Sequence, residues 1–435
     1  MRPERLPFFY GWVVVAVAFV TMAIGVNART AFSLLFPPIL DEFGWDRGMT
    51  AGAFSFGFVA SMLFTPVLGR LMDRWGPRRV IPTGVAMVCL GLALGTQVRQ
   101  PWHLYLTLGL LVAGGTVTVG YTGHALFLTN WFTRRRGMAT GIAFSGVGFG
   151  SIVLFPWLQT LIAGLGWRAA CWALVVVLAV VLVPLNAILQ RRRPEDLGLR
   201  PDGDAQAAGT PGGAPSNVVD PAWVAVDWTL ARAVRTARFW WLALAFFGAL
   251  FAWYAVQVHQ TKYLIEIGFD PAVAAWALGL VGLGGVVGQI GLGALSDRIG
   301  REWAWTIAGL GFATCYALLI LLAHHPTPAL MYLMVAVQGV LGYGLASVYG
   351  AIPAELFQGR SYGAIFGVLG LVSGLGTGAG PLVTGLVHDA TGSYALAFWM
   401  AIGWCLVSVV AVWLAAPRKV RAVAGRVPRL AAHVR

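Results

Sequence analysis

The run FVTMAIGVNARTAFSLLFPPIL, residues 19–40, holds one charged side chain, Arg29, with Asn27 two residues before it. A guanidinium keeps its proton in ordinary protein surroundings, and its planar fork matches a carboxylate with two hydrogen bonds. Arg29 is therefore a candidate fixed cation for an anionic ligand. The alternative is an arginine that snorkels to lipid headgroups. On a helix Asn27 sits about 200° around from Arg29, so the two do not share a face. Tyr121 and His124, in VGYTGHALF, are three apart and do share one. A phenol and an imidazole there suit contacts to ligand oxygens, or a bond between helices. The stretch WYAVQVHQTKYL supplies Tyr254, Gln257, His259, Gln260 and Lys262. Imidazole titrates near physiological pH, which makes His259 a candidate gate or proton carrier, with a structural hydrogen bond as the alternative. Gln289, in VVGQIGLG, completes the candidate ligand-contacting set.

The elements that must hold these residues are membrane helices. The chain has 435 residues, 58% of them hydrophobic and 11% charged, where soluble domains average about 25% charged. Twelve apolar stretches are long enough for a ~30 Å hydrocarbon layer. Backbone groups in lipid must satisfy one another, so each stretch is a helix and the fold is all-α. The first stretch is too long, and too marked by its arginine, for a cleavable signal peptide. Arg29 lies nineteen residues past Tyr10, roughly 28 Å along a helix. With Pro37-Pro38 read as the end of that span, Arg29 is expected in its outer half. The net charge of +13 is a topology signal. Only Arg29, Arg47, Arg99, Arg168 and Lys262 of the Lys and Arg fall in spans or in loops of one parity. The others fill the termini and the alternate loops, which places both termini in the cytoplasm and excludes a nucleic-acid role.

Two halves emerge from an internal repeat. GRLMDRWGPRR at 69–79 matches GALSDRIGRE at 293–302, pairing Asp73 with Asp297, Arg74 with Arg298, and Gly76 with Gly300. The same offset of 224 relates Gly44 and Asp46 to Gly268 and Asp270, Arg136 to Arg360, and Gly146 to Gly370. Like loops align with like loops, so the repeat is parallel. The expected organisation is a six-helix half over 1–190, a cytoplasmic connector over 191–237, a second six-helix half over 238–416, and a basic tail over 417–435. The Pro- and Gly-rich connector cannot build a core. Its end, DWTLARAVRTARF, is read as an interfacial helix with Trp228, Leu230, Ala231 and Val234 on one face. Asp73 and its repeat can cap helix ends or pair with arginines, contacts made in one conformer and broken in another. The switch-loop set is thus Gly69, Asp73, Arg74, Gly76 and Arg78, with Asp297, Arg298 and Gly300. The glycine-rich GLVSGLGTGAGP follows no strand and lacks the Lys-Ser/Thr of a phosphate loop, so it is a packing pattern. Cys89, Cys171, Cys315 and Cys405 stand singly and imply no disulfide and no metal. No catalytic pair or cofactor motif is visible, and the chain is not read as an enzyme.

The 69–79 loop and its copy resemble the signature of the major facilitator superfamily over the whole chain. YGW at the first span, NWFTRRRGMATGIAFSGVGFG, RRRPEDLGLRPDG and VHQTKYLIEIGFDPAVAAWALGLVGLGGVVGQ resemble the bacterial monocarboxylate and oxalate/formate transporters. The resemblance implies twelve helices and rocker-switch movement of a small organic anion, by proton symport or anion exchange. It also implies a substrate contact at Tyr121. The chain departs from this branch at three places: Gln289 stands where an arginine is usual, Gly285 where proton-coupled members carry an aspartate, and the eleventh span has no lysine. Arg29 would then be the principal cavity cation. Glu355 and Asp389 read as loop groups at span ends. The expected protein is a functional monomer in a bacterial inner membrane, with membrane lipids around it and protons as the optional co-substrate. The rival reading is an exporter of hydrophobic or drug-like compounds.

Overall fold

The computed structural model describes residues 7–45, 47–203 and 217–426. Asp46, residues 204–216 and the last part of the tail lie outside them, and with Asp46 goes its repeat pairing to Asp270. Among the described residues no strand forms, only an isolated bridge between Val218 and Arg421. Among the same residues, eleven helical runs are long and apolar enough to span a bilayer. One of them, Arg136–Leu189, has 54 residues and would be about 81 Å long if straight. Gly166 breaks it with φ 82° and ψ 164°, so it is two antiparallel spans. The helices are then α1 (Gly11–Phe43), α2 (Arg47–Trp75), α3 (Pro77–Gly95), α4 (Pro101–Trp131), α5 (136–165), α6 (167–189), α7 (Ala237–Gln257), α8 (Pro271–Ile299), α9 (Arg301–His324), α10 (Pro328–Phe357), α11 (Tyr362–Thr391) and α12 (Ala395–Ala415). This is a multi-pass membrane protein with two six-helix halves.

The first helix differs from its expected length. It continues through Pro37 and Pro38 and ends at Gly44, which takes the left-handed conformation with φ 62°. Proline φ fits a helix, and the lost backbone bonds are tolerable where neighbouring groups satisfy the freed carbonyls. Over the whole of Gly11–Phe43, Arg29 stands close to the middle rather than near an end. Glu42 marks the far end of α1. It accepts from Trp167 Nε1 at 2.8 Å and from both Nη atoms of Arg168 at 2.6 and 2.7 Å.

The halves meet along two seams, α2 with α11 and α5 with α8. At the face that carries the connector the seams are tight. A Cβ on Gly69 would stand 2.0 Å from the Gly363 carbonyl oxygen, and one on Gly141 would stand 2.2 Å from that of Gln289. Only hydrogen fits at such crossings, which is how small residues draw membrane helices together. Toward the opposite face the halves separate, and Gly378 of α11 and Gly279 of α8 look into open space. The structure is closed at the connector face and splayed at the other.

The connector departs from its expected form. Residues Leu230–Ala233 make a single helical turn. Trp228 is buried, packed edge-on to Phe357 at 5.2 Å, and Trp223 donates its indole N–H to the Leu356 carbonyl at 2.7 Å. Docking two tryptophans on the end of α10 removes more apolar surface from water than laying a short amphipathic helix on headgroups. The tail returns to the same place, where Val219 and Asp220 N–H donate to the Val420 carbonyl and Ala422 N–H to that of Asn217.

Candidate functional site

The seam centre is built by helix breaks. Gly120, with ψ −169°, interrupts α4 and makes Tyr121 the first residue of its inner segment. Across the seam α7 stops at Gln257, and a short helix resumes at Gln260. Arg29 of α1 donates from Nη1 to Ser61 Oγ at 3.3 Å, and Ser61 in turn donates to the Ala113 carbonyl at 2.9 Å. The guanidinium lies over the Phe58 ring, 4.1 Å from its centroid. Phe58 meets the Tyr254 ring of the other half at 6.3 Å, nearly edge-on. Arg29, Phe58 and Tyr254 thus form a cation–aromatic stack that crosses from one half to the other.

Tyr254 in turn belongs to a group of aromatic side chains. Tyr121, Tyr343 and Tyr349 each lie close enough to Tyr254 to interact with it electrostatically. Trp253 packs on Tyr343 at 4.6 Å and donates its indole N–H to Gln257 Oε1 at 2.7 Å. The hydroxyls of Tyr349 and Ser373 are 2.7 Å apart. Gln289 reaches the Tyr121 hydroxyl region. Its Oε1 is buried and has no hydrogen-bond partner among the described residues, as is true of His124 Nε2. His124 Nδ1 is 3.0 Å from the Gly120 carbonyl. That bond assigns the ring proton to Nδ1 and leaves Nε2 as an acceptor.

The structure therefore brings Arg29, Tyr121, Tyr254 and Gln289 together between the halves, with Gln257 behind Trp253. Two other candidates fall away from them. Asn27 donates both amide hydrogens, to Ala23 O at 2.8 Å and Val147 O at 2.9 Å, and so ties α1 to α5 inside one half. His259 Nε2 is 3.1 Å from the Pro381 carbonyl, and the ring packs on Tyr394, which fixes the α7 break against α11. Phe58, Ser61, Trp253, Tyr343 and Tyr349 are seam residues that no charge or spacing marks in the sequence. One signal is present: the Gly-Tyr pair at 120–121 recurs at 342–343, two residues off the 224-residue register, in the matching helix of the second half.

The connector face holds the gate. Asp73 accepts from the backbone N–H of Gly363 at 3.1 Å and of Ala364 at 3.0 Å, capping the start of α11. Asp297 accepts from Gly137 and Met138 N–H, both at 2.9 Å, at the start of α5. Each switch aspartate therefore caps a helix of the other half, where carboxylate and helix dipole reinforce each other. Gly76 and Gly300, with φ 71° and 110°, reverse the chain after each aspartate. Arg74 and Arg298 are exposed, and Arg78 donates Nε to the Ala187 carbonyl at 2.5 Å. The arginines that touch the aspartates are others. Arg192 reaches Asp73 at 3.1 Å and Arg301 reaches Asp297 at 2.7 Å. Glu355 is not a loop group, because it lies in α10 and joins a buried ion network. It is buried, 2.8 Å from Arg301 Nε and 4.0 Å from Arg136. Asp389 stays exposed beside His388.

Comparison with known proteins agrees with this architecture. The family model described as Major Facilitator Superfamily matches residues 15–346 and 261–434. Monocarboxylate transporter 13 of Rattus norvegicus is 27% identical over 392 residues, 90% of this chain and 86% of the relative. An uncharacterized transporter of the superfamily from Escherichia coli (strain K12) is 25% identical over 342 residues, 76% of this chain and 78% of the relative. The crystal structure of a human organic anion transporter superposes with a TM-score of 0.69 at 17% identity, over 94% of this chain and 100% of that one. FucP, a transporter of the superfamily solved in its outward conformation, gives 0.65 at 17% identity, over 93% and 98%.

Proposed function

The chain belongs to the major facilitator superfamily, and from that premise we propose that it is a secondary transporter of a small carboxylate, worked by alternating access between its halves. The observation that carries the reading is Arg29, held by Ser61 and Phe58 against Tyr254 at the seam between the halves. A carboxylate entering from the splayed face meets one guanidinium fork and the aromatic group around Tyr254. The buried acceptor of Gln289 suits a ligand that also carries an O–H donor. Arg29 belongs to one half and Tyr254 to the other, so a ligand touching both favours the conformer that brings them together. Differential affinity of this kind is what moves a two-state transporter. Closing the splayed face would then free the connector face to open by releasing the Asp73 and Asp297 caps. The weight of basic residues on the connector face supports cytoplasmic termini, and we place the protein in a bacterial inner membrane as a functional monomer. Movement is by exchange or with a proton.

The test is counterflow in liposomes with a panel of mono-, di- and aromatic carboxylates. Wild-type protein should exchange at least one of them, and Arg29→Gln should abolish that flux while leaving expression and folding intact. Arg29→Lys, which keeps the charge and loses the fork, should retain part of it. Undiminished transport by Arg29→Gln would remove the reading. Movement of neutral or cationic compounds, with none of a carboxylate, would favour an exporter of hydrophobic compounds.

A further inference from the structure

Beneath the gate, sharing Gly300 and Glu355 with it, lies a cavity of about 600 Å³ that is separate from the central seam. The tail lines one side with Arg418, Lys419, Arg421 and Arg426, the connector contributes Val219, and the helix ends contribute Gly300, Glu302 and Glu355. We propose that this cavity is a binding site for a phosphate-bearing anion, separate from the transported ligand.

Four cations against two carboxylates give the lining a positive excess, and both carboxylates are already engaged. Glu355 is held by Arg301, while Glu302 Oε1 accepts the Arg418 backbone N–H at 2.8 Å and lies 3.5 Å from Arg418 Nη1. The guanidinium atoms are not so well served. Arg421 Nε is buried with no hydrogen-bond partner among the described residues, and Arg418 Nη1, buried too, has no hydrogen bond but only the 3.5 Å ion pair with Glu302, its guanidinium lying 4.4 Å over the Trp413 ring. A buried donor without an acceptor costs free energy that an incoming oxyanion would recover. Burial works against the Arg421 charge, with Glu355 as its counterweight. A dianion would supply the missing neutralisation, and phosphate oxygens match a guanidinium fork.

The chain does not leave these groups together by accident of a loose terminus. Backbone bonds to Asn217 and from Val219 pin the tail to the connector, Val420 is wholly buried, and Gly425 packs on the Arg298 backbone. The phosphate could belong to a lipid headgroup or to a soluble metabolite, and the two sources separate experimentally.

Purified full-length protein in nanodiscs of phosphatidylcholine is titrated with inorganic pyrophosphate at constant ionic strength, following thermal stability and calorimetric binding. In parallel the nanodiscs are made with phosphatidylglycerol and no pyrophosphate is added. Saturable stabilisation in the first arm identifies a soluble ligand, and in the second a lipid headgroup. In whichever arm responds, Arg421→Gln combined with Arg418→Gln should weaken the effect at least tenfold. Arg29→Gln should leave it unchanged, which separates this site from the central seam. The same double variant should keep the unfolding temperature of the unliganded protein within a few degrees, showing that it folds. No stabilisation in either arm, an equal response to sodium chloride, or an undiminished response in the double variant would overturn the proposal.

Discussion

Asp73 and Asp297 stand at matching places in the two repeats and do the same work, each capping a helix of the opposite half, yet their surroundings differ. The side chain of Asp297 is 8% exposed, and beside it are Arg301, 1% exposed, and Glu355, 5% exposed. Arg136 completes this buried network from the other half, 4.0 Å from Glu355. Asp73 is 18% exposed and its partner Arg192, which comes from the connector, 25%. At the positions 224 residues earlier, Pro77 and Trp131 stand where the second half has Arg301 and Glu355. Arg360, the repeat of Arg136, is exposed. The repeat thus conserves the cap within this chain but not its electrostatics. One gate is a dry ion network, costly to disturb, and the other is a half-solvated cap that can break at low cost. Opening of the connector face should begin at the Asp73 side.

The largest effect expected follows from Glu355→Gln, which leaves Arg301 and Arg136 without their shared carboxylate. Removing one member of a buried ion network costs about 3–5 kcal/mol, and a fall in the unfolding temperature in detergent should report it. A wild-type unfolding temperature would mean that the network contributes nothing to the closed gate. Next come the two aspartates, compared directly. Asp297→Asn removes a charge that holds both Arg301 and the start of α5, while Asp73→Asn, which keeps one acceptor oxygen, should cost only about 1–2 kcal/mol. Spin labels at residues 79 and 360, both exposed and on opposite halves, should report the Asp73→Asn protein opening at the connector face. The Asp297→Asn protein should lose stability first. Equal behaviour of the two would erase the asymmetry. The smallest effect belongs to the exposed arginines of the repeat. Arg74→Gln and Arg298→Gln should change stability by no more than about 0.5 kcal/mol, since neither side chain faces the gate network. A loss comparable to that of Asp297→Asn would show that they act in the closed state after all.

The helices, their number and the two-half repeat were legible because each follows from local pattern. Apolar length specifies a span, and the recurrence of Gly69, Asp73 and Gly76 at 293, 297 and 300 specifies the symmetry. Two local signals misled. Pro37-Pro38 read as a stop, but a helix already committed to lipid can absorb the missing bonds. The periodicity of DWTLARAVRTARF read as an interfacial helix, but Trp223 and Trp228 found a better apolar surface on α10. Glu355 read as a loop group because its partners, Arg301 and Arg136, are remote in sequence.

The candidate site divides in the same way. Composition and order alone determined a membrane-spanning, all-helical chain with a parallel repeat, a lone arginine in its first helix and a basic connector face. Those properties follow from the demand that lipid places on every residue in turn. Whether Asn27 or Tyr254 stands near Arg29 could be decided only in three dimensions, because each helix presents all its faces in one dimension of sequence. Packing spent the amide of Asn27 on α5 and the ring of His259 on α11. It also carried Phe58 under the Arg29 guanidinium and set Tyr343 beside Trp253. Contacts between helices depend on crossing geometry, and crossing geometry is settled by every interface at once.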